Sequence, residues 1–183
     1  MLSQDEKELL KGVQDGPRPK SYSQPVLWLL GIILAVIMTS YIFLAPTIQD
    51  NLAGYIQSSV ILENKIESGD TTIHISEEVK KTVQSYYTRF PDVETALCLQ
   101  GTHRNQTVYN ITDVYQPRTY SAGFTYVRHE PCDEDTVVMF HTHPERRCQA
   151  SPQDRVTLEQ AQQEQPEMRM LIMCEPRRFN IVT

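Results

Sequence analysis

The chain has 183 residues, 40% of them hydrophobic, which suits one small globular domain with additional segments. The formal charge is −6, with no basic stripe and no interleaving of aromatic and basic residues, so nothing invites nucleic acid. Aromatic content of 8% and modest glycine and proline exclude a disordered polymer.

Residues 1–25 read as a polar N-terminal tail, with turn residues at Gly16-Pro17 and Pro19 and a short helix expected over Glu6–Val13. Val26 to Leu44 carries no charge. As a helix it would span roughly 28 Å, close to the hydrocarbon thickness of a bilayer. Trp28 and Tyr41 lie toward its ends, where amphipathic rings prefer the interface, and Pro25 and Pro46 bracket it. A core helix of this length would show a polar face, and a cleavable signal would have a shorter apolar region after a shorter polar stretch. Residues 26–45 are therefore expected to form a single transmembrane helix.

Lys7, Lys11, Arg18 and Lys20 precede this segment, and no Lys or Arg follows until Lys65. That bias puts the N-terminus in the cytoplasm and the remainder outside; the opposite placement leaves the C-terminal domain cytoplasmic. Two glycosylation acceptor triplets, Asn105-Gln106-Thr107 and Asn110-Ile111-Thr112, agree with the outside placement. Cys98, Cys132, Cys148 and Cys174 all follow the apolar segment and allow two disulfides in three pairings, or buried free thiols.

Residues 46–69 read as a connector whose scattered apolar positions could make a helix leaning on the membrane or on the domain. The soluble domain, residues 70–183, opens with the alternating strand Thr71–Ser76, then a helix capped by Ser76 and ended by Pro91, with Val79 and Val83 on one face. Strands are expected at Glu94–Gln100, over Gln106–Tyr115 and Thr119–His129 about a turn at Gln116–Arg118, and at Thr136–His143. The last is apolar enough to be buried on both faces. A helix from Ser151 and two closing strands complete a mixed α+β domain.

His141 and His143 are two residues apart at the end of that buried strand, so both project to one side, where two imidazoles can share a cation such as Zn²⁺. Asp154 is the candidate third ligand, in the first turn of the following helix. Ser151-Pro152-Gln153-Asp154 also makes a complete helix start on its own: serine at the N-cap, proline at N1 and an acid at N3. The two readings are compatible, since an acid at N3 offsets the partial positive charge that a helix N-terminus would present to a cation.

Glu94, then His141-Thr142-His143-Pro144, then Ser151-Pro152-Gln153-Asp154 together resemble the JAMM (MPN+) metalloprotease family. The resemblance spans roughly Thr71 to Thr183, including the opening strand and helix and the run from Pro91 through Glu94 to Gly101. It departs at Ala96, where the family commonly has glycine, and in the charged loop Glu145–Ala150, where Cys148 is not a ligand that the motif requires.

The resemblance implies an α+β or α/β fold of the JAMM, cytidine-deaminase-like kind, a mixed sheet flanked by helices. It implies zinc held by His141, His143 and Asp154, with Glu94 as general base and Ser151 assisting the oxyanion. Without it, Glu94 would read as an exposed strand-end carboxylate. The implied activity is hydrolysis of peptide or isopeptide bonds in a protein or peptide substrate, a ubiquitin-like conjugate among the candidates. The later insertions by which larger members grip ubiquitin are not seen. The rival expectation is a non-catalytic, membrane-tethered scaffold or recognition module of the same fold. Deaminase chemistry would need a Pro-Cys-x-x-Cys ligand pair that the chain lacks.

Overall fold

The structure, a computed structural model, describes residues 23–44, 46–144 and 146–183. The helix expected over Glu6–Val13 lies outside the described residues. The chain divides between Leu44 and Ala45 into two units.

In the first unit, α1 (Gln24–Leu44) runs without a break. No charged side chain needs solvation along it, and the Thr39 hydroxyl donates back to the Ala35 carbonyl at 2.8 Å. The 19 residues Gln24–Ile42 are long and apolar enough to cross a membrane.

The second unit begins with α2 (Pro46–Gln57), which has proline in its first position, where the missing N–H costs nothing. Its last carbonyls are met by Ser58, whose N–H donates to Gly54 at 3.0 Å and whose hydroxyl donates to Tyr55 at 2.9 Å. Then come β1 (Ser59–Val60) and β2 (Lys65–Ser68), which occupy the two edges of the sheet. Residues 46–69, expected as a connector, are thus partly built into the domain. Their strands are too short to show alternation in sequence, and the turn between them needs left-handed backbone at Glu63 (φ 47°) and Asn64 (φ 67°).

The order continues with β3 (Thr71–Ile75), α3 (Glu77–Arg89), β4 (Ala96–Arg104), β5 (Val108–Tyr115), β6 (Thr119–Ala122), β7 (Val127–His129), β8 (Thr136–Thr142), α4 (Pro152–Glu164), β9 (Arg169–Glu175) and β10 (Arg178–Val182). Eight strands form one mixed sheet in the order β1-β10-β9-β8-β4-β5-β3-β2. The β3/β5 and β8/β9 pairs are parallel and the rest antiparallel, while β6 and β7 form a separate hairpin.

The two faces of the sheet follow from strand alternation. Val138, Phe140, Leu171 and Met173 join Val79 and Val83 of α3 in the larger core. Their neighbours Met139, Met170 and Ile172 point the other way, toward Leu158 of α4. β8 is buried on both faces, as its apolar run predicts, so its backbone is held rigidly up to His141. At Gly101, where the β4/β5 register shifts, a Cβ would stand 2.0 Å from the Asn110 carbonyl oxygen; only glycine fits.

Disulfides join Cys98 to Cys132 and Cys148 to Cys174, one of the three possible pairings. Cys148 is thereby removed from any role as a metal ligand.

Candidate metal centre

His141 lies at the penultimate position of β8 on the face it shares with Met139, toward α4, and His143 follows two residues later on the same side. The Nε2 atoms of the two rings are 3.0 Å apart. Each approaches the carboxylate of Asp154, His141 to Oδ1 at 3.4 Å and His143 to Oδ2 at 3.5 Å. The ligand atoms of the three residues all lie within 4.8 Å of one another. Both histidines are buried and Asp154 is nearly so.

Strand register brings Glu94 to the same place. Ala96 of β4 lies opposite His141 of β8 in antiparallel pairing, so Glu94 falls opposite His143. The Thr142 N–H donates to the Thr95 carbonyl at 3.0 Å, and the Thr95 N–H donates to the Thr142 hydroxyl at 2.9 Å, so the pairing continues past the strand ends. Glu94 Oε1 is 3.6 Å from His143 Nε2. At 8% exposure Glu94 is not a solvated strand-end carboxylate. The strand expected from Glu94 begins instead at Ala96, because Glu94 N–H donates to the Gly123 carbonyl, at 2.8 Å, rather than into the sheet.

Asp154 is placed by the helix start predicted from sequence. Ser151 is the N-cap of α4, its hydroxyl accepting from the Asp154 N–H at 3.1 Å. Asp154 Oδ2 accepts from the Ser151 N–H at 2.7 Å, completing a capping box. One carboxylate thus satisfies the helix end and faces the histidines.

The electrostatics are those of a shared site. Burial by itself would raise the Asp154 carboxyl, but its bonds to His141 and His143 hold it far below the usual carboxylate range. Burial pushes the His141 imidazole down, Asp154 opposing. Burial also works against charge on His143, yet Asp154, the Arg147 carbonyl and Glu94 together raise it above its ordinary value.

The donor set fits a divalent transition metal. His143 Nδ1 lies 2.7 Å from the Arg147 carbonyl, which can only accept, so Nδ1 carries the proton and the neutral ring presents its Nε2 lone pair. Two imidazole nitrogens at 3.0 Å need a proton or a cation between them. Tetrahedral ligands at 2.0–2.1 Å from a zinc ion stand about 3.3 Å from one another; the two imidazole nitrogens are 3.0 Å apart, and each has its own Asp154 oxygen at 3.4 or 3.5 Å, Oδ1 for His141 and Oδ2 for His143.

No protein-family model and no curated protein matches this chain.

Of the five sequence-predicted residues, His141, His143 and Asp154 form the cluster, Glu94 stands beside His143 and Ser151 touches the cluster through Asp154, while His74 and His103 are not in it. His129, on β7, is close enough to disfavour charge on His141 but is not among its ligand-distance partners. Sequence reasoning missed the supports. The Arg147 carbonyl that orients His143 is a backbone atom with no sequence signature. The buried Asn180, which donates to the Cys148 carbonyl at 2.7 Å, stands between Phe179 and Ile181 in the closing strand, and that polar residue inside an apolar run is the one signal that could have found it. The Cys148–Cys174 bridge ties the loop between His143 and Ser151 to β9. Between the β6/β7 hairpin and α4 is a cavity of about 800 Å³ lined in part by Tyr120, Tyr126, His129, Met139, Gln153 and Thr157.

Proposed function

We propose that the chain is a membrane-anchored zinc metallopeptidase of the JAMM (MPN+) type, hydrolysing peptide or isopeptide bonds. The observation that carries this reading is the convergence of two histidines and one carboxylate on a common point, with a second buried carboxylate, Glu94, 3.6 Å from His143. Three protein ligands leave a fourth tetrahedral position for solvent, the arrangement of catalytic rather than structural zinc. Zinc bound there would lower the pKa of water toward about 7 and polarise the scissile carbonyl.

The protein's own groups have separate tasks. His141, His143 and Asp154 would hold the ion, with the Arg147 carbonyl fixing the tautomer of His143. Glu94 takes a proton from the attacking water and returns it to the leaving amine. The Ser151 cap engages a lone pair of the hydroxyl oxygen, which leaves the hydroxyl proton to donate toward the oxyanion. The cavity lined by Met139 and Gln153, which neighbour His141 and Asp154 in sequence, gives a protein or peptide substrate room on that side of α4.

Placement outside the cytoplasm, with the N-terminus inside, is supported by two disulfides and by the exposure of both acceptor asparagines, Asn105 and Asn110. An extracytoplasmic site favours peptide bonds of surface or membrane proteins over ubiquitin-like conjugates.

The test is hydrolysis by detergent-solubilised full chain, assayed against a ubiquitin-like fusion and against a peptide library. Activity should vanish with a chelator and return with Zn²⁺. Activity that persists after complete metal removal contradicts the proposal.

A further inference from the structure

We infer that the outward face of α2, carrying Leu52, Tyr55 and Ile56, rests on a lipid surface. These three side chains are 60%, 56% and 73% exposed, and their i, i+3, i+4 spacing gathers them on one stripe of the helix. Gly54 is two positions from Leu52, about 200° around the helix, and faces the domain. It is buried, and a Cβ there would stand 2.7 Å from the Gln149 backbone nitrogen, so the helix backbone lies directly on the Cys148–Gln149 segment. Arg178 fixes the rotation: its Nη1 donates to the Ser58 hydroxyl at 3.1 Å, and its guanidinium stacks 3.9 Å from the centre of the Tyr55 ring. With one face held this way, the apolar stripe cannot roll inward to be buried.

The occupant follows from chain connectivity and chemistry. The inference rests on reading α1 as a membrane span. A single residue, Ala45, separates the end of α1 at Leu44 from the start of α2 at Pro46, so wherever α1 spans, α2 begins at headgroup level. Leucine, isoleucine and tyrosine are the side chains an interfacial helix presents to the acyl boundary. α2 contains no Lys or Arg, so the contact is apolar and a neutral phosphatidylcholine surface satisfies it without anionic lipid. The inner face of the same helix touches the loop that joins His143 to Ser151. A seated α2 therefore holds that loop about one helix diameter, roughly 10 Å, from the lipid and selects bonds close to the membrane as substrates.

The experiment uses the full chain with Trp28→Phe, so that a single introduced tryptophan reports. Ile56→Trp and, separately, Leu52→Trp are reconstituted into phosphatidylcholine vesicles brominated near the top of the acyl chain; Val156→Trp, exposed on α4, is the control. Emission from both α2 tryptophans should fall about twofold relative to unbrominated vesicles, unchanged by salt, with no fall for Val156→Trp. Protein that floats with the vesicles but shows no quenching at either α2 position, or equal quenching at Val156→Trp, overturns the inference while leaving the membrane span intact. A second copy covering the stripe in place of lipid would give that same absence of quenching, and it overturns the inference equally. Protein that does not float at all removes the span and the inference together. None of these outcomes depends on metal or hydrolysis.

Discussion

Two helices of this domain begin with the same local grammar and end up with different surroundings. α3 starts at Ser76, whose hydroxyl accepts from the Val79 N–H at 3.2 Å, with Glu77 and Glu78 in the first turn. α4 starts at Ser151, whose hydroxyl accepts from the Asp154 N–H at 3.1 Å, with Asp154 as its first-turn acid. The acids differ in position and fate. Glu77 points to solvent, 52% exposed, and pairs with Lys80 and Lys81. Asp154, at N3 and 16% exposed, folds back to the cap and meets two buried imidazoles. Capping alone stabilises a helix end; capping opposite the end of β8 makes a metal-ligand geometry. The chemistry comes from what stands across from the cap.

Removing the imidazoles that face the α4 cap should have the largest effect. His141→Ala with His143→Ala removes two of three ligands; zinc content should drop from about one per chain to none, measured by elemental analysis, and hydrolysis should stop. Asp154→Asn keeps the size of the side chain but loses its charge. Zinc affinity should fall by at least about a hundredfold in a competition titration. A matching loss of charge at Glu77→Gln should leave affinity unchanged.

Glu94→Gln separates binding from chemistry. It should retain zinc and lower kcat by about 10²- to 10⁴-fold, since only the proton acceptor is lost. Wild-type activity in this variant would eliminate Glu94 as the base.

The smallest effects compare the caps directly. Ser76→Ala and Ser151→Ala should each cost about 1 kcal/mol in denaturant unfolding, because each loses one capping acceptor. Only Ser151→Ala should also slow hydrolysis. Equal activity in both variants would reduce Ser151 to a cap.

The pH response sharpens the same contrast. In ion-free protein, His143 should titrate above 6.5 and His141 below it, followed by imidazole NMR. With its folded pKa raised, His143 contributes stability that is fully present below about 6.5 and lost as pH rises through its folded value. Asp154, with its folded pKa depressed, contributes stability present above 3.8 that is lost as pH falls toward its folded value. Zinc competes with the His143 proton, so affinity should weaken about tenfold per pH unit below the His143 pKa.

Much of the site could be read from residue order because its parts are local. The two histidines share a face through the two-residue period of a strand, and Asp154 is fixed by the three-residue reach of a capping box. Glu94 was less accessible: its position depends on Ala96 pairing with His141, a contact across 45 residues that no local pattern states. Of the edge strands, β1 was hidden for a similar reason, since Ser59 pairs with Phe179, 120 residues away, whereas β2 pairs locally, Lys65 with His74, and is too short to show alternation. The disulfide pairing was open in sequence because any of the four cysteines could reach any other until the sheet fixed their distances.

The most direct test of the metal centre is X-ray absorption at the zinc edge of the purified full chain. A shell of about four nitrogen or oxygen neighbours at 2.0–2.1 Å, with the outer scattering of two imidazoles and no sulfur, is the predicted result. Sulfur neighbours at about 2.3 Å, or no imidazole scattering, would contradict a site built from His141, His143 and Asp154.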